Sequence, residues 1–176
     1  MHLYLQIHIP LMLGLISLNY KIAPVKIREL FYIYPEEYQK IFNKINERVT
    51  LKGLFIISTC NRTELYFETA KNQESHNKTY HSVIMTLSKL KRFNDGLRPY
   101  IKKKKGSFEI SKHLFRLSSG LESMIIGEFQ IVEQIKSSYN ICKDNKMLSP
   151  AIERMIQKSL EASKFIRTNT KIDEGG

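Results

Sequence analysis

The pattern of this chain predicts an α+β fold, and three observations carry the prediction. Short apolar runs alternate with helix-spaced stretches through the first half. Two of those runs, 54–58 and 65–69, stand close enough together to be partner strands. From residue 107 onward the apolar spacing is helical. The expected architecture is a small, largely antiparallel sheet with helices on one face, followed by a mainly helical second half.

Size and composition agree with one compact domain carrying a helical extension. The chain has 176 residues, of which 42% are hydrophobic and 26% charged, a balance that excludes disorder. Its two cysteines, Cys60 and Cys142, lie far apart and share no metal-ligand spacing, so neither a disulfide framework nor a metal centre is expected. A reducing, cytoplasmic setting fits that usage. The net charge is +11, from 28 Lys+Arg against 17 Asp+Glu. Such an excess favours polyanions, nucleic acid above all, through counterion release. A lysine-rich solvated surface is the plainer reading of the same number.

Taken in order, residues 2–18 are apolar but broken by Gln6, His8 and Pro10. They lack a basic start and a small-residue cleavage site, which excludes a signal peptide, and they are too interrupted to span a bilayer. Residues 11–18 read as a buried strand and 1–10 as an extension. A short helix is expected over 24–30. Pro35-Glu36-Glu37 opens a second helix, with proline in the first turn and acids at the positive dipole end. Its apolar positions are Tyr38, Ile41, Phe42, Ile45 and Val49. Lys52-Gly53 ends it, and the strand 54–58 and its partner 65–69 follow. Residues 71–78 are polar and read as a loop, 80–90 as a helix with Val83, Leu87 and Leu90 on one face. The lysine run 102–105 reads as a solvated loop. Helices are expected over 113–119, 128–143 and 150–167, and 171–176 as the start of a linker. No glycine-rich dinucleotide or phosphate fingerprint occurs, so any cofactor chemistry lies outside this polypeptide.

Two segments carry chemistry. In Ser58-Thr59-Cys60-Asn61-Arg62-Thr63-Glu64, a cysteine leaves a buried strand two residues before an arginine. That is the layout of a thiolate nucleophile beside an anion receptor. By itself it is more often the layout of an inert, half-buried cysteine. The second segment runs from His113 to Gln134 and includes Ser123, Gly127, Glu128, Phe129 and Gln130. Gln130 and Gln134 stand one helical turn apart, and Gly127 permits a tight entry to their helix.

Together these motifs resemble the N-terminal catalytic domain of the glutamyl-tRNA reductase family. The resemblance rests on Gly14 to Val25 with Arg28-Glu29, on the cysteine segment through Tyr66, and on the His113 to Gln134 run. Gln157-Lys158 and the stretch 164–170 extend it. It implies a ferredoxin-like sheet and a catalytic domain spanning 11–170. Cys60 would attack the ester of glutamyl-tRNA to give a thioester, which NADPH reduces to glutamate-1-semialdehyde in tetrapyrrole synthesis. His113 would assist catalysis. Thr59, Asn61, Arg62, Ser123, Glu128, Phe129, Gln130 and Gln134 would bind substrate, with the Arg62 fork suited to a carboxylate. The family commonly has histidine in place of Tyr20, and proline or a small polar residue in place of Phe129. It also implies an NADPH domain beyond residue 176, and homodimerisation through a further domain.

Overall fold

The computed structural model describes residues 13–69, 73–93 and 96–170. The expected extension 1–10 and linker 171–176 lie outside the described residues. Four strands, β1 (Leu13–Asn19), β2 (Leu51–Thr59), β3 (Arg62–Thr69) and β4 (Lys102–Lys105), form one antiparallel sheet in the order β2-β3-β1-β4. Six α-helices accompany them among the described residues: α1 (Val25–Leu30), α2 (Tyr38–Asn46), α3 (Gln73–Leu90), α4 (Ser107–Ser118), α5 (Gln130–Asp144) and α6 (Pro150–Asn169). The α+β class is as expected. Helical crossovers from β1 to β2 and from β3 to β4 give the ferredoxin-like topology.

Side-chain alternation along β3 assigns the layers. Thr63, Leu65, Phe67 and Thr69 face the helices of the first half. The Phe67 ring meets His76 and Tyr80 of α3 at 5.8 and 4.9 Å, and Thr63 Oγ1 donates to the Phe31 carbonyl just after α1 at 3.0 Å. Arg62, Glu64, Tyr66 and Glu68 point the other way, beneath the helices of the second half. Every residue of β3 is buried, so both faces of the sheet are covered. The β2 edge is closed as well: Leu54 N donates to the Met147 carbonyl at 2.7 Å. Beside it, burial raises the Cys142 thiol to about 12.

Several expected boundaries change for physical reasons. Gly53 lies inside β2, at a register shift, rather than ending a helix. A side chain there would sit 2.4 Å from Ser149 N, so the strand needs glycine where the start of α6 presses on it. Ser149 caps that helix by accepting from Ile152 N at 3.3 Å, with Pro150 following. The expected loop 71–78 is helical from Gln73, because the polar residues His76 and Thr79 are buried against the sheet. The lysine run 102–105 is an edge strand, Ser17 pairing with Lys102 and Gly14 with Lys105. Backbone pairing needs no apolar side chain, and lysine keeps such an edge from recruiting another strand.

Candidate functional site

The turn between β2 and β3 consists of Cys60 and Asn61, closed by the pair Thr59 and Arg62. Thr59 Oγ1 accepts from both Asn61 N and Arg62 N at 3.2 Å, a hydroxyl-shaped turn that needs no glycine. Tyr20 N donates to the Asn61 carbonyl at 2.9 Å, and Arg28 Nε to the Cys60 carbonyl at 3.1 Å. The backbone of the turn is therefore anchored from several directions while the Cys60 side chain stays exposed.

The segment between α4 and α5 closes over this turn. Gly120 and Gly127 both have positive φ, 78° and 85°, and Gly127 N donates to the Gly120 carbonyl at 3.3 Å. A side chain on Gly120 would come within 3.0 Å of the Gly127 backbone, so the neck of the loop requires glycine. Arg167 of α6 donates to the Gly127 and Glu128 carbonyls at 2.8 and 3.0 Å. The Tyr20 hydroxyl donates to the Ser123 carbonyl at 3.1 Å.

These contacts bring Ser123, Glu128, Gln130 and Gln134 to Thr59, Cys60, Asn61 and Arg62 around one cavity of about 30 Å³. Room for one or two waters is all that volume offers. Ser123 Oγ is buried with no hydrogen-bond partner among the described residues, a group that a ligand can satisfy. Eight of the ten expected site residues line this space. Phe129 does not. Its ring is 56% exposed and packs against the Arg167 guanidinium at 5.4 Å. Glu128 and Phe129 precede α5 instead of opening it, so the helix begins at Gln130.

His113 is the other expected residue outside the cavity lining. Its Nε2 lies 3.0 and 3.1 Å from the carboxylate oxygens of Glu64, beneath α4. Glu64 is the hub of a buried network. Ser17 Oγ donates to it at 2.8 Å, Arg62 Nη1 at 3.1 Å and the Tyr66 hydroxyl at 2.6 Å. Burial alone would raise the Glu64 carboxyl, but His113, Arg62 and Tyr66 outweigh it and hold it well below the usual carboxylate range. Burial, then the Glu64 charge, pushes the Tyr66 phenol well above its usual value. Arg62 thus meets an internal carboxylate before any external one, and its Nη2 donates to the Glu122 carbonyl. Glu122 in turn binds Lys21 Nζ at 2.7 Å and Arg116 Nε at 2.8 Å. Those two cations, working against burial, lower its carboxyl to about 2.

Glu64 lies within the cysteine motif, where sequence alone assigns it no role. The period-2 pattern of Arg62, Glu64 and Tyr66 was the available clue, since it puts cation, acid and phenol on one strand face. Arg28 and Glu122 carried no comparable local mark, because their partners are distant in sequence. Among the described residues no group of three or more His, Cys, Asp or Glu could hold a metal ion, and no helix is long and apolar enough to cross a membrane.

Comparison with known proteins agrees with the motifs. Residues 16–170 match the family described as Glutamyl-tRNAGlu reductase, N-terminal domain. The glutamyl-tRNA reductase of Aquifex aeolicus (strain VF5) is 35% identical over 157 residues, covering 89% of this chain and 37% of that protein. That of Sulfurihydrogenibium sp. (strain YO3AOP1) is 39% identical over 159 residues, covering 88% and 34%. The solved glutamyl-tRNA reductase from Methanopyrus kandleri superposes with a TM-score of 0.73 at 27% identity, over 93% of this chain and 36% of that one. The chain spans about a third of the length of the curated relatives it matches. Sheet topology, motif order and these likenesses converge: the chain belongs to the glutamyl-tRNA reductase family, within which it corresponds to the N-terminal domain.

Proposed function

We propose that this chain captures the glutamyl group of glutamyl-tRNA as a thioester on Cys60. The observation that carries the reading is an exposed thiol on an anchored turn, beside a polar cavity containing an unpartnered buried hydroxyl. The Cys60 sulfur attacks the ester carbonyl carbon. A C–S bond forms, the C–O bond to the terminal ribose breaks, and the thiol proton ends on the released ribose hydroxyl.

The glutamyl group needs more room than the 30 Å³ between these side chains, so the loop carrying Ser123 and Glu128 draws back to admit it. Asn61, Ser123, Gln130 and Gln134 then supply neutral hydrogen-bonding groups, and Glu128 a negative one suited to an α-ammonium. Thr59 shapes the turn. Arg62, already bonded to Glu64 and to the Glu122 carbonyl, forms a fixed positive wall. Selecting glutamate follows from such buried polar groups, since a substrate that leaves them unpaired is rejected. His113 acts at one remove, by fixing Glu64 and through it Arg62. Phe129 borders the site on its Arg167 side.

The whole enzyme, by resemblance, reduces the thioester with NADPH, pairs into dimers and works in the cytoplasm. The described residues do not fit that dinucleotide. Their sheet is antiparallel, and no strand passes through a glycine-rich turn into a helix. The chemistry assigned to this chain therefore ends at the thioester. Intact-mass measurement after exposure to glutamyl-tRNA tests it: the wild type gains a glutamyl adduct and Cys60→Ser gains none. An adduct of equal yield on the serine variant would remove Cys60 from the mechanism.

A further inference from the structure

Away from the cysteine turn, towards the β4 edge of the sheet, a cavity of about 600 Å³ opens between α3 and the segment that leads into β4. It shares no lining residue with the polar cavity beside Cys60. Its volume falls within the range of roughly 300–1,000 Å³ usual for small-molecule sites.

Local structure explains why cations gather there. Asn77, His81, Met85 and Lys89 stand four residues apart, so one stripe of α3 forms the first wall. Across from it stand Leu97, Arg98 and Lys103. Lys103 pairs with Ile16, and Ile16 with Leu65. Paired residues share a sheet face, so Lys103 points with Leu65 towards the layer that holds α3. Tyr80 joins the two walls. Its hydroxyl donates to the Lys104 carbonyl, and its ring lies 5.6 Å from both Lys103 Nζ and Lys105 Nζ. Gly14 leaves room for that tyrosine, since a side chain there would sit 2.9 Å from the hydroxyl.

Lys105 already has a partner, donating to Asn77 Oδ1 at 2.8 Å. Lys89, Arg98 and Lys103 have no hydrogen bond or ion pair among the described residues, and no described carboxylate lines the cavity. Partial burial, then the charges of Arg98 and Lys105, lower the Lys103 ammonium, as expected of crowded cations without a counter-ion. The rest of the lining is apolar: Ile84, Phe93, Leu97 and Met85, which is exposed despite its character. We propose that this cavity binds a small organic phosphate, its phosphoryl group held by Lys89, Arg98 and Lys103 and its carbon skeleton laid against Met85 and Phe93. The arginine fork binds two phosphoryl oxygens, and the lysines act as point charges beside it. Three unpaired cations match a dianion with three oxygens better than a single carboxylate. The apolar lining favours an organic ester over a bare anion. Convergence on one hollow, rather than a stripe along a face, favours a small ligand over a nucleic-acid backbone.

Phenyl phosphate is the probe, titrated into this chain carrying 13C-labelled methionine methyls. The Met85 signal is expected to shift saturably, with half-saturation near or below about 1 mM. Methyl phosphate, which lacks the ring, is expected to bind more weakly. Lys103→Gln and Arg98→Gln are each expected to weaken phenyl phosphate about tenfold, whereas Lys164→Gln on α6 leaves it within about twofold. The remaining methionine signals report that each variant is folded. Absence of a saturable Met85 shift in the wild type overturns the site. Equal weakening by Lys164→Gln does so too, because the attraction is then only that of net charge. A short RNA that displaces phenyl phosphate from the wild type, and binds Lys103→Gln more weakly, gives the cavity to nucleic acid and overturns the small-ligand reading.

Discussion

Glu64 and Cys60 sit four residues apart in one motif and occupy opposite environments. Glu64 is fully buried, bonded to Ser17, Arg62, Tyr66 and His113 beneath α4. Cys60 is exposed at the tip of the β2–β3 turn, held only through its backbone. The difference separates stability from chemistry. The strand buries its charges in a satisfied network, and the turn presents an exposed thiol.

Removing Glu64 tests the first half of that division with the largest effect. Glu64→Ala leaves Arg62 and His113 without their counter-charge in the interior, and is expected to cost about 3–5 kcal/mol in urea unfolding. Glu64→Gln, which preserves shape, should cost less. If Glu64→Ala unfolded at the wild-type urea concentration, the network would not be the support it is taken to be.

Acid titrates the same network. Glu64 and Glu122 both have carboxyls held below their ordinary value of 4.5. A depressed folded value means that each contributes stability above about 4.5, lost as the pH falls through the folded value. Unfolding free energy is therefore expected to decline from pH 4.5 towards pH 2, and Glu64→Gln should flatten much of that decline. An unchanged slope in the variant would assign the acid sensitivity elsewhere.

The loop that closes the polar cavity gives an intermediate effect. Gly120→Ala places a side chain at φ 78° and against the Gly127 backbone. About 1–3 kcal/mol of strain is expected, seen as a lowered melting temperature. Because this loop carries Ser123 and Glu128, acylation of Cys60 should slow as well. Cys60→Ser completes the contrast with the smallest stability change, within about 0.5 kcal/mol, and no thioester at all. A large loss of stability in Cys60→Ser would mean that the turn, too, is structural.

Much of the fold was legible in local pattern. The helical spacing of Tyr38, Ile41 and Ile45 matches three buried positions of α2, and Ile131 and Ile135 likewise mark the buried face of α5. Pattern failed where burial was polar or where pairing used the backbone alone. His76 and Thr79 disguised the first turns of α3, and four lysines disguised β4. In the site, the motif marked the cysteine turn, while pattern did not place His113: the imidazole meets Glu64 and does not line the cavity around the thiol.

The sequence by itself determined the class of fold, the cysteine turn between two strands and the polar run further along, because periodicity and turn chemistry act between near neighbours. Only the tertiary structure decided which charge meets which. Arg62 reaches the Glu64 carboxylate two residues away along its own strand, but it reaches the Glu122 backbone carbonyl across a gap of 60 residues. Arg28 finds the Cys60 carbonyl 32 residues distant. Such pairings depend on strand order and helix packing, long-range consequences of burying apolar area that no local pattern records.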